Sequence, residues 1–170
     1  MAAVTNYTIG KGIVSFWKDG DADYRDVGNV PTLEFTPTIE TIEHFSSRSG
    51  VREKDLTVVL QKSGTLRMVM EEWDAENMAL MVLGATAIDA SGYTYIDIFS
   101  VSQISGKIKF VGANDVGRQF RLELLKVDFI PGSSVSFIQD EWGQLEITGQ
   151  VASVAGDFGT LTFLDEQTSV

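Results

Sequence analysis

Several residue types and patterns are missing or scarce in this sequence, and each absence narrows its chemistry. Cysteine is absent, which excludes a disulfide framework, a thiolate metal site and a cysteine nucleophile. His44 is the one histidine. The longest unbroken apolar run, Met78–Leu83, is far shorter than the ~20 residues that span a bilayer. The first ten residues lack a basic region followed by an apolar core, so we expect no signal peptide and a soluble, cytoplasmically made protein.

Positive charge is also scarce. The chain has 13 Lys and Arg against 24 Asp and Glu, a formal net charge of −11. Binding to the outside of a nucleic acid needs basic patches that neutralise phosphates, so this balance argues against it. An acidic surface that repels a passing polyanion remains open. With 170 residues, 44% of them hydrophobic, the chain is expected to form a single globular domain over residues 1–170.

An alternating pattern predicts a long strand over Thr32–Phe45. Within it, Pro37 lacks the amide proton of a sheet ladder and therefore indicates an edge strand or a bulge. The alternation slips near Glu40 and Thr41, which also indicates a bulge. The following residues, 46–55, are polar and predict a loop.

The next segment, Lys54–Glu71, predicts a tight hairpin with its turn at Lys62, Ser63 and Gly64. Leu66, Met68 and Met70 share one face of its second strand. The opposite face is mostly polar, so the sequence predicts an antiparallel sheet with one face toward water.

A short helix follows. Asp74 is the expected N-cap, with Asn77 three positions inside the helix, and Gly84 is the expected stop. The second half of this helix is apolar nearly all round. A helix on the surface of a monomer is normally polar on one side, so we expect a neighbouring subunit to cover Met78, Leu80, Met81 and Leu83.

The rest of the chain alternates between short strands and turns. Between Arg118 and Ile130 the apolar phase shifts by one residue at Leu124–Leu125, which places the later side chains on the opposite face unless a bulge or bend compensates. Regular short strands predict a mainly β fold, an antiparallel β-sandwich or barrel flanked by one short α-helix. The further predicted strands are Thr8–Trp17, Tyr93–Val101, Gly106–Val111, Arg118–Ile130, Val135–Gln139, Gln144–Val154 and Gly159–Leu164.

No group of residues supports catalysis. His44 lies at a strand-to-loop junction without the arrangement of a triad. Asp19, Asp21 and Asp23 resemble the start of a calcium loop, but Tyr24 stands where that loop needs glycine, so a solvated acidic turn is favoured and weak cation binding stays open. The acidic residues from Glu71 to Glu76 suit the positive end of a helix dipole better than paired catalytic carboxylates. We therefore expect no enzyme activity, no catalytic or metal site and no cofactor.

The ordered combination of segments resembles one protein family. VGNVPTLEFTPTIETIEHFSSRSGVREKD, the hairpin after it and the helix WDAENMALMVLG resemble the major tail tube protein of long, non-contractile-tailed bacteriophages. EWGQLEITGQV and FGTLTF resemble the last strands of that family. The resemblance covers most of the chain and includes no catalytic motif.

This resemblance implies a structural virion protein, assembled in the host cytoplasm. Family members have a β-sandwich core flanked by a helix and form hexameric rings. The rings stack into a hollow tube around a tape measure protein, between tail-tip and terminator proteins. DNA later passes through the lumen without specific binding. In the family a loop corresponding to Glu43–Asp55 mediates contacts between rings. The implied inter-ring residues are Ser47, Arg48, Gly50, Val51, Arg52, Glu53 and Lys54.

The polar strand faces are expected to line the lumen. The candidates are Glu34, Thr36, Thr38, Glu40, Thr57, Gln61 and Arg67. Two alternatives stay open. One is a type VI secretion-like tube protein that carries effectors. The other is a β-sandwich carbohydrate-binding module, with an aromatic platform formed by Trp17, Tyr93, Tyr95 and Trp142.

Overall fold

A computed structural model describes residues 7–48, 50–113, 117–131 and 134–164 of the chain. The described part contains one helix, α1, and ten strands. In chain order the elements are β1 (Gly12–Lys18), β2 (Arg25–Asp26), β3 (Thr32–Ser46), β4 (Glu53–Met70), α1 (Ala75–Val82), β5 (Ala85–Ile88), β6 (Thr94–Asp97), β7 (Ile104–Gly112), β8 (Phe120–Ile130), β9 (Leu145–Val151) and β10 (Gly159–Phe163).

Eight of these strands form one antiparallel sheet in the order β2-β1-β7-β8-β9-β4-β3, and β10 also pairs with β8. Strand β8 is the branch point, because its first half pairs with β10 and its second half with β9. Inward-facing residues of β1, β4, β7, β8 and β9 meet in one core. Strands β5 and β6 form a separate two-stranded ribbon. The prediction of an antiparallel β fold with one short helix is confirmed.

A bulge accounts for the shift of apolar phase in β8. The pairing of β7 with β8 shifts between Gly106 and Ile108, because two β8 residues, Leu125 and Lys126, lie opposite Lys107 alone. Leu124 and Val127 are therefore both buried, although they are three residues apart. Alternation without a bulge would place them on opposite faces.

The core is closed by aromatic and aliphatic side chains from both halves of the sheet. Phe16 of β1 and Phe129 of β8 meet edge to face, with ring centroids 5.2 Å apart. Leu80 and Met81 of α1 pack on the same core. The completely or almost completely buried large side chains are Phe16, Phe129, Leu66, Met68, Met70, Ile108, Leu145 and Ile147.

The prediction of a tight hairpin at Lys62–Gly64 is wrong. β4 runs without a break from Glu53 to Met70, and Gly64 lies inside it, opposite Pro37 of β3. The ring of Phe35 packs where a side chain at residue 64 would stand, since an added Cβ would be 2.5 Å from that ring. Gly64 therefore permits close packing inside a strand and makes no turn.

The hairpin that exists joins β3 to β4 through residues 47–52. Ser46 pairs with Glu53 and Phe45 with Lys54, so Glu53, Lys54 and Asp55 belong to the strand and not to the predicted loop. β3 is an edge strand, which explains why it tolerates Pro37. The pairing shifts at the predicted position between Glu40 and Thr41, but the extra residue is Leu60 of β4 and not a residue of β3.

The predicted helix start is confirmed. The Asp74 carboxylate accepts the backbone N–H of Asn77 at 2.7 Å, which caps α1. The helix ends at Val82, and Leu83 adopts the left-handed conformation with φ 46°, one residue before the expected Gly84. The Asn77 amide is fully buried and donates to the carbonyls of Val27 and Glu72, tying the helix to two loops.

The later strands differ from the prediction in detail. Residues 135–139 form no strand, and Phe137 within them packs edge to face on Trp73. The strand predicted over Tyr93–Val101 is the shorter β6, paired with β5. The two short strands β2 and β5 were missed, since neither is long enough to show alternation.

Candidate assembly surface

The most conspicuous surface is the outer part of the β3–β4 hairpin, residues 38–62, which we call the arm. Every described residue from Thr38 to Phe45 and from Gly50 to Lys62 is exposed. The two strands continue to pair along the whole arm, up to Ser46 and Glu53. The arm is therefore an ordered ribbon that contacts water on both faces.

Apolar side chains populate this exposed ribbon. Ile42 pairs with Val58, and the next pair, Thr41 with Val59, lies on the opposite face because successive residues of a strand alternate. An exposed apolar patch of this kind marks an interaction surface. The arm residues of this type, each 43–64% exposed, are Ile39, Ile42, Phe45, Leu56, Val58, Val59 and Leu60.

Local ion pairs hold the outer end of the arm. Lys54 Nζ lies 2.8 Å from Glu43 Oε1, and His44 Nδ1 lies 2.6 Å from Asp55 Oδ1. All four side chains are exposed, so each pair aligns the strands more than it adds stability. His44, which sequence reasoning placed at a surface or interface, is part of this alignment.

The connection between the strands, residues 47–52, is what we call the tip. Five of the seven proposed inter-ring residues lie here: Ser47, Arg48, Gly50, Val51 and Arg52. The other two, Glu53 and Lys54, are the first residues of β4. No described carboxylate forms an ion pair with Arg48 or Arg52, and Val51 is 75% exposed.

The polar face predicted for the lumen is continuous across three strands. Glu34 pairs with Arg67 and Glu40 with Gln61, and direct cross-strand partners share a face. Thr36 and Thr38 lie between them on the same face. Thr57 differs, because it pairs with Glu43, an odd number of residues beyond Glu40, and so points to the opposite face. Because the bulge leaves Leu60 unpaired, the residues of β4 before it face the side opposite to the one that simple alternation predicts. The sequence pattern alone did not show this change of face.

Arg67 connects the three strands of this polar face, because it forms ion pairs with Glu34 of β3 and Glu146 of β9. Its Nε and Nη2 atoms donate to both oxygens of Glu146 on β9 at 2.8 and 2.9 Å, and its Nη1 donates to Glu34 on β3 at 3.1 Å. The hydrogen bond from Arg67 lowers the pKa of Glu146, and the two carboxylates raise the pKa of Arg67. The Glu34 charge is therefore locally compensated, whereas no ion pair among the described residues compensates that of Glu40.

We expect replacement of Arg67 by Met to raise the pKa of Glu146 toward its ordinary value of 4.5. A lowered carboxyl pKa stabilises the fold above the ordinary value, and that contribution disappears as the pH falls through the folded-state pKa. The stability difference between wild type and Arg67→Met should therefore exist at neutral pH and vanish in acid. NMR titration of the Glu146 carboxyl carbon and urea unfolding at both pH values measure this. Lys54→Met serves as a control, and an unchanged Glu146 pKa in Arg67→Met would contradict the assignment.

Two of the four helix residues that were expected at a subunit interface are instead buried within one subunit. Leu80 and Met81 are 2% and 3% exposed within a single subunit. The core covers one side of α1, and the β5–β6 ribbon contacts another. Met78 and Leu83 are half-buried. The sequence could not predict this cover because β5 and β6 are four residues each.

Aromatic side chains proposed as a sugar platform lie on three separate elements. Trp17 of β1 is covered by Lys107, whose Nζ lies 4.3 Å from the ring centroid. Tyr93 and Tyr95 belong to the β5–β6 ribbon, and Trp142 precedes β9. One sugar-binding platform built from all four is therefore not present.

The acidic residues considered above as metal ligands or catalytic groups either accept structural hydrogen bonds or lie apart from one another. Across the described ranges, no three His, Asp or Glu side chains are grouped to hold a metal ion, and this includes the turn at Asp19–Asp23. Glu71 accepts hydrogen bonds from Asn29 and Gln144. Nor does the described part of the chain contain a helix long and apolar enough to cross a membrane.

Comparison with solved structures identifies chains with a similar fold. A chain from a structure described as the tail of an empty GTA particle, with C6 symmetry, matches with a TM-score of 0.51 at 12% identity, covering 89% of this chain and 93% of that one. A chain from the virion of a native gene transfer agent (GTA) particle has a TM-score of 0.46 at 12% identity, with coverages of 89% and 94%. No curated protein matches the sequence. The first of these matches confirms the resemblance in fold alone, since the chain shares the fold of a chain in a gene transfer agent tail.

A family model described as "Protein of unknown function UCP028589" matches residues 7–95, more than half of the chain. The match covers the first two strands, the whole β3–β4 hairpin with its arm and tip, helix α1 and the β5 strand. The chain therefore belongs to the family of the protein of unknown function UCP028589.

Proposed function

We propose that this chain is a structural protein of a virion tail, the subunit of a tail tube. Six copies form a ring, and the rings stack into a hollow tube that conducts DNA into the host. The observation that carries the proposal is the arm, an ordered two-stranded ribbon with apolar side chains exposed on both faces. A ribbon of this kind is poorly stable alone in water and gains stability from burial against other chains.

The sheet edge supports lateral assembly. β3 pairs with β4 on one side only, so its other side offers backbone N–H and C=O groups over a 15-residue strand. Such an edge is a template for pairing with another chain. In a ring, a neighbouring copy occupies this edge, and the polar faces of the six copies together form the channel wall.

The charges suit passive conduction. The chain carries −11 overall, and the polar face includes the uncompensated Glu40 among threonines and glutamine. A wall of this composition repels the DNA backbone, so DNA slides past without specific binding. The proposed work is assembly and conduction without bond chemistry. Its partners are other copies, a tape measure protein and the proteins of the tail tip and terminator. The sixfold arrangement is taken from the C6 symmetry of the fold-related tail.

Electron microscopy of the purified full-length chain tests this proposal. We expect rings at low concentration and hollow tubes of sixfold symmetry at high concentration, because assembly follows mass action. Immunogold labelling of particles should mark the tail along its length. Monomers at every concentration together with affinity for a polysaccharide would contradict the proposal.

A further inference from the structure

A groove lies at the end of the molecule that is far from the tip. It is lined by aromatic rings and carboxylates, the groups that bind organic cations. It lies between the segment after β4 and the segment before β9, with a volume of about 390 Å³. The indole of Trp73 meets the ring of Phe137 edge to face, with centroids 5.8 Å apart. Gly143 makes this packing possible, since a Cβ there would lie 2.7 Å from the Trp73 ring. We call this the aromatic groove, lined by Glu71, Trp73, Phe137, Glu141 and Trp142.

The aromatic groove exposes its large side chains to water. Trp142 is 90% exposed and Phe137 is 75% exposed, which is unusual for rings of this size. Burial of such rings usually awaits a partner. The groove therefore has the exposed aromatic anchors that dominate protein–protein interfaces.

Two carboxylates line the same groove. Neutral amides of Asn29 and Gln144 hold the Glu71 carboxylate in place, so its negative charge is oriented but not neutralised. Glu141 forms no ion pair within the described part of the chain. Aromatic faces beside carboxylates bind a guanidinium well, because its plane stacks on the ring while its N–H groups donate to oxygen.

The tip provides the complementary group. Arg48 and Arg52 are the charged residues of residues 47–52, so the tip is positive in a chain of −11. Both side chains are exposed, and Val51 between them offers an apolar contact. Opposite potentials on two patches of one chain favour contact between copies.

The tip and the aromatic groove of one molecule are too far apart to touch each other. The tip precedes Glu53, and the aromatic groove begins at Glu71, just after Met70, so β4 separates them along its 18 residues. A strand of this length spans about 55 Å at 3.3 Å per residue. Complementary patches at opposite ends of a subunit produce head-to-tail contacts, which extend into an open filament.

We propose that the tip of one copy docks into the aromatic groove of the next copy along the tube, with an arginine guanidinium between Trp142 and the Glu71 and Glu141 carboxylates. This inference rests on the proposed function for the presence of stacked copies. It adds the receiving site, which the resemblance does not assign. It also identifies the chemical class of the ligand, a guanidinium-bearing loop.

A peptide titration tests the docking without requiring assembly. A cyclised peptide of residues 44–55 is titrated into the full-length chain and its binding is measured by calorimetry. We expect binding that weakens about tenfold in Trp142→Ala, and by a similar factor when both peptide arginines are glutamine. Binding should also weaken with added salt. Tyr93→Ala, which removes a 73% exposed aromatic ring next to β6, should bind as wild type does.

A reciprocal charge swap controls for indirect effects. A peptide with Glu in place of both arginines should regain affinity for Glu141→Lys chains, and not for wild type. No binding at millimolar peptide, or equal binding by wild type and Trp142→Ala, overturns the docking proposal.

Mixed assembly separates this inference from the proposed function. A chain with Arg48→Glu and Arg52→Glu has a defective tip, and a chain with Glu141→Lys and Trp142→Ala has a defective groove. We expect neither to elongate alone, and a mixture to stop after one junction between the two types. Wild-type tubes with unimpaired elongation of both variants would overturn the docking and leave the tube function standing. Peptide binding without any wild-type tubes would support the docking and contradict the tube.

Discussion

Removal of the tip is expected to abolish tube growth while leaving the subunit folded. The change deletes residues 47–52 and joins Ser46 to Glu53 through Asn-Gly, which forms the two-residue turn that best fits a hairpin. Ser46 and Glu53 already pair in the structure, so the strands need not move. No described residue of the tip contributes to the core, so the melting temperature should stay that of the wild type.

The reason for the large effect on assembly is the position of the tip. It is the outermost part of an arm whose described residues are exposed from Thr38 to Phe45 and from Gly50 to Lys62, and it carries the two arginines. Without it the arm keeps its apolar sides but loses its end contact. Electron microscopy should show rings without long tubes, and circular dichroism should show an unchanged fold.

A length-matched control separates reach from chemistry. Replacing residues 47–52 by six Gly and Ser residues keeps the length of the loop but removes Arg48, Val51 and Arg52. We expect this variant to resemble the deletion. Long tubes formed by the deletion variant would remove the tip from ring stacking altogether.

Reversal of the Glu40 charge is expected to slow DNA passage without preventing assembly. Glu40 pairs with Gln61 on the polar face, and it has no ion-pair partner among the described residues. Lysine at this position would repeat around each ring and bind phosphate, as basic residues in nucleic-acid channels do. We expect DNA release from particles carrying Glu40→Lys to slow by about tenfold, and less at high salt.

The structure makes Glu40 a better test than Glu34. Arg67 already compensates Glu34 at 3.1 Å, and lysine there would repel Arg67 and disturb the bond to Glu146. Asp19→Lys supplies the matched control, since it makes the same charge change in the turn after β1, away from the polar face. Normal release kinetics in Glu40→Lys particles, or equal slowing in Asp19→Lys, would exclude Glu40 from the channel wall.

Local rules were sufficient for much of this fold. The alternation of β3, the edge position indicated by Pro37, the bulge near Glu40 and the Asp74 cap all follow from interactions within a few residues. The apolar phase shift in β8 marks the position of a bulge, because burial acts on each side chain in turn. The polar face was predictable in the same way, because the core residues of β4 occupy one face and leave the polar residues on the other.

Other features depend on contacts distant in sequence. Gly64 has the composition of a turn, yet packing against Phe35 from β3 makes it a strand residue and moves the hairpin to residues 47–52. The bulge at Leu60 reverses the facing of Thr57, which depends on register with the partner strand. Leu80 and Met81 looked like interface residues until the core and the β5–β6 ribbon covered α1.

The sequence by itself determined most of the longer strands, the helix cap, the acidic balance and the resemblance to a tail tube protein, because these reside in short patterns and composition. Only the tertiary structure decided that residues 38–62 form one projecting arm. It also brought Trp73 beside Phe137 and placed the acidic aromatic groove about 55 Å from the basic tip along β4. Long-range pairing sets these arrangements, and alternation within a strand carries no information about which distant segment will pack against it.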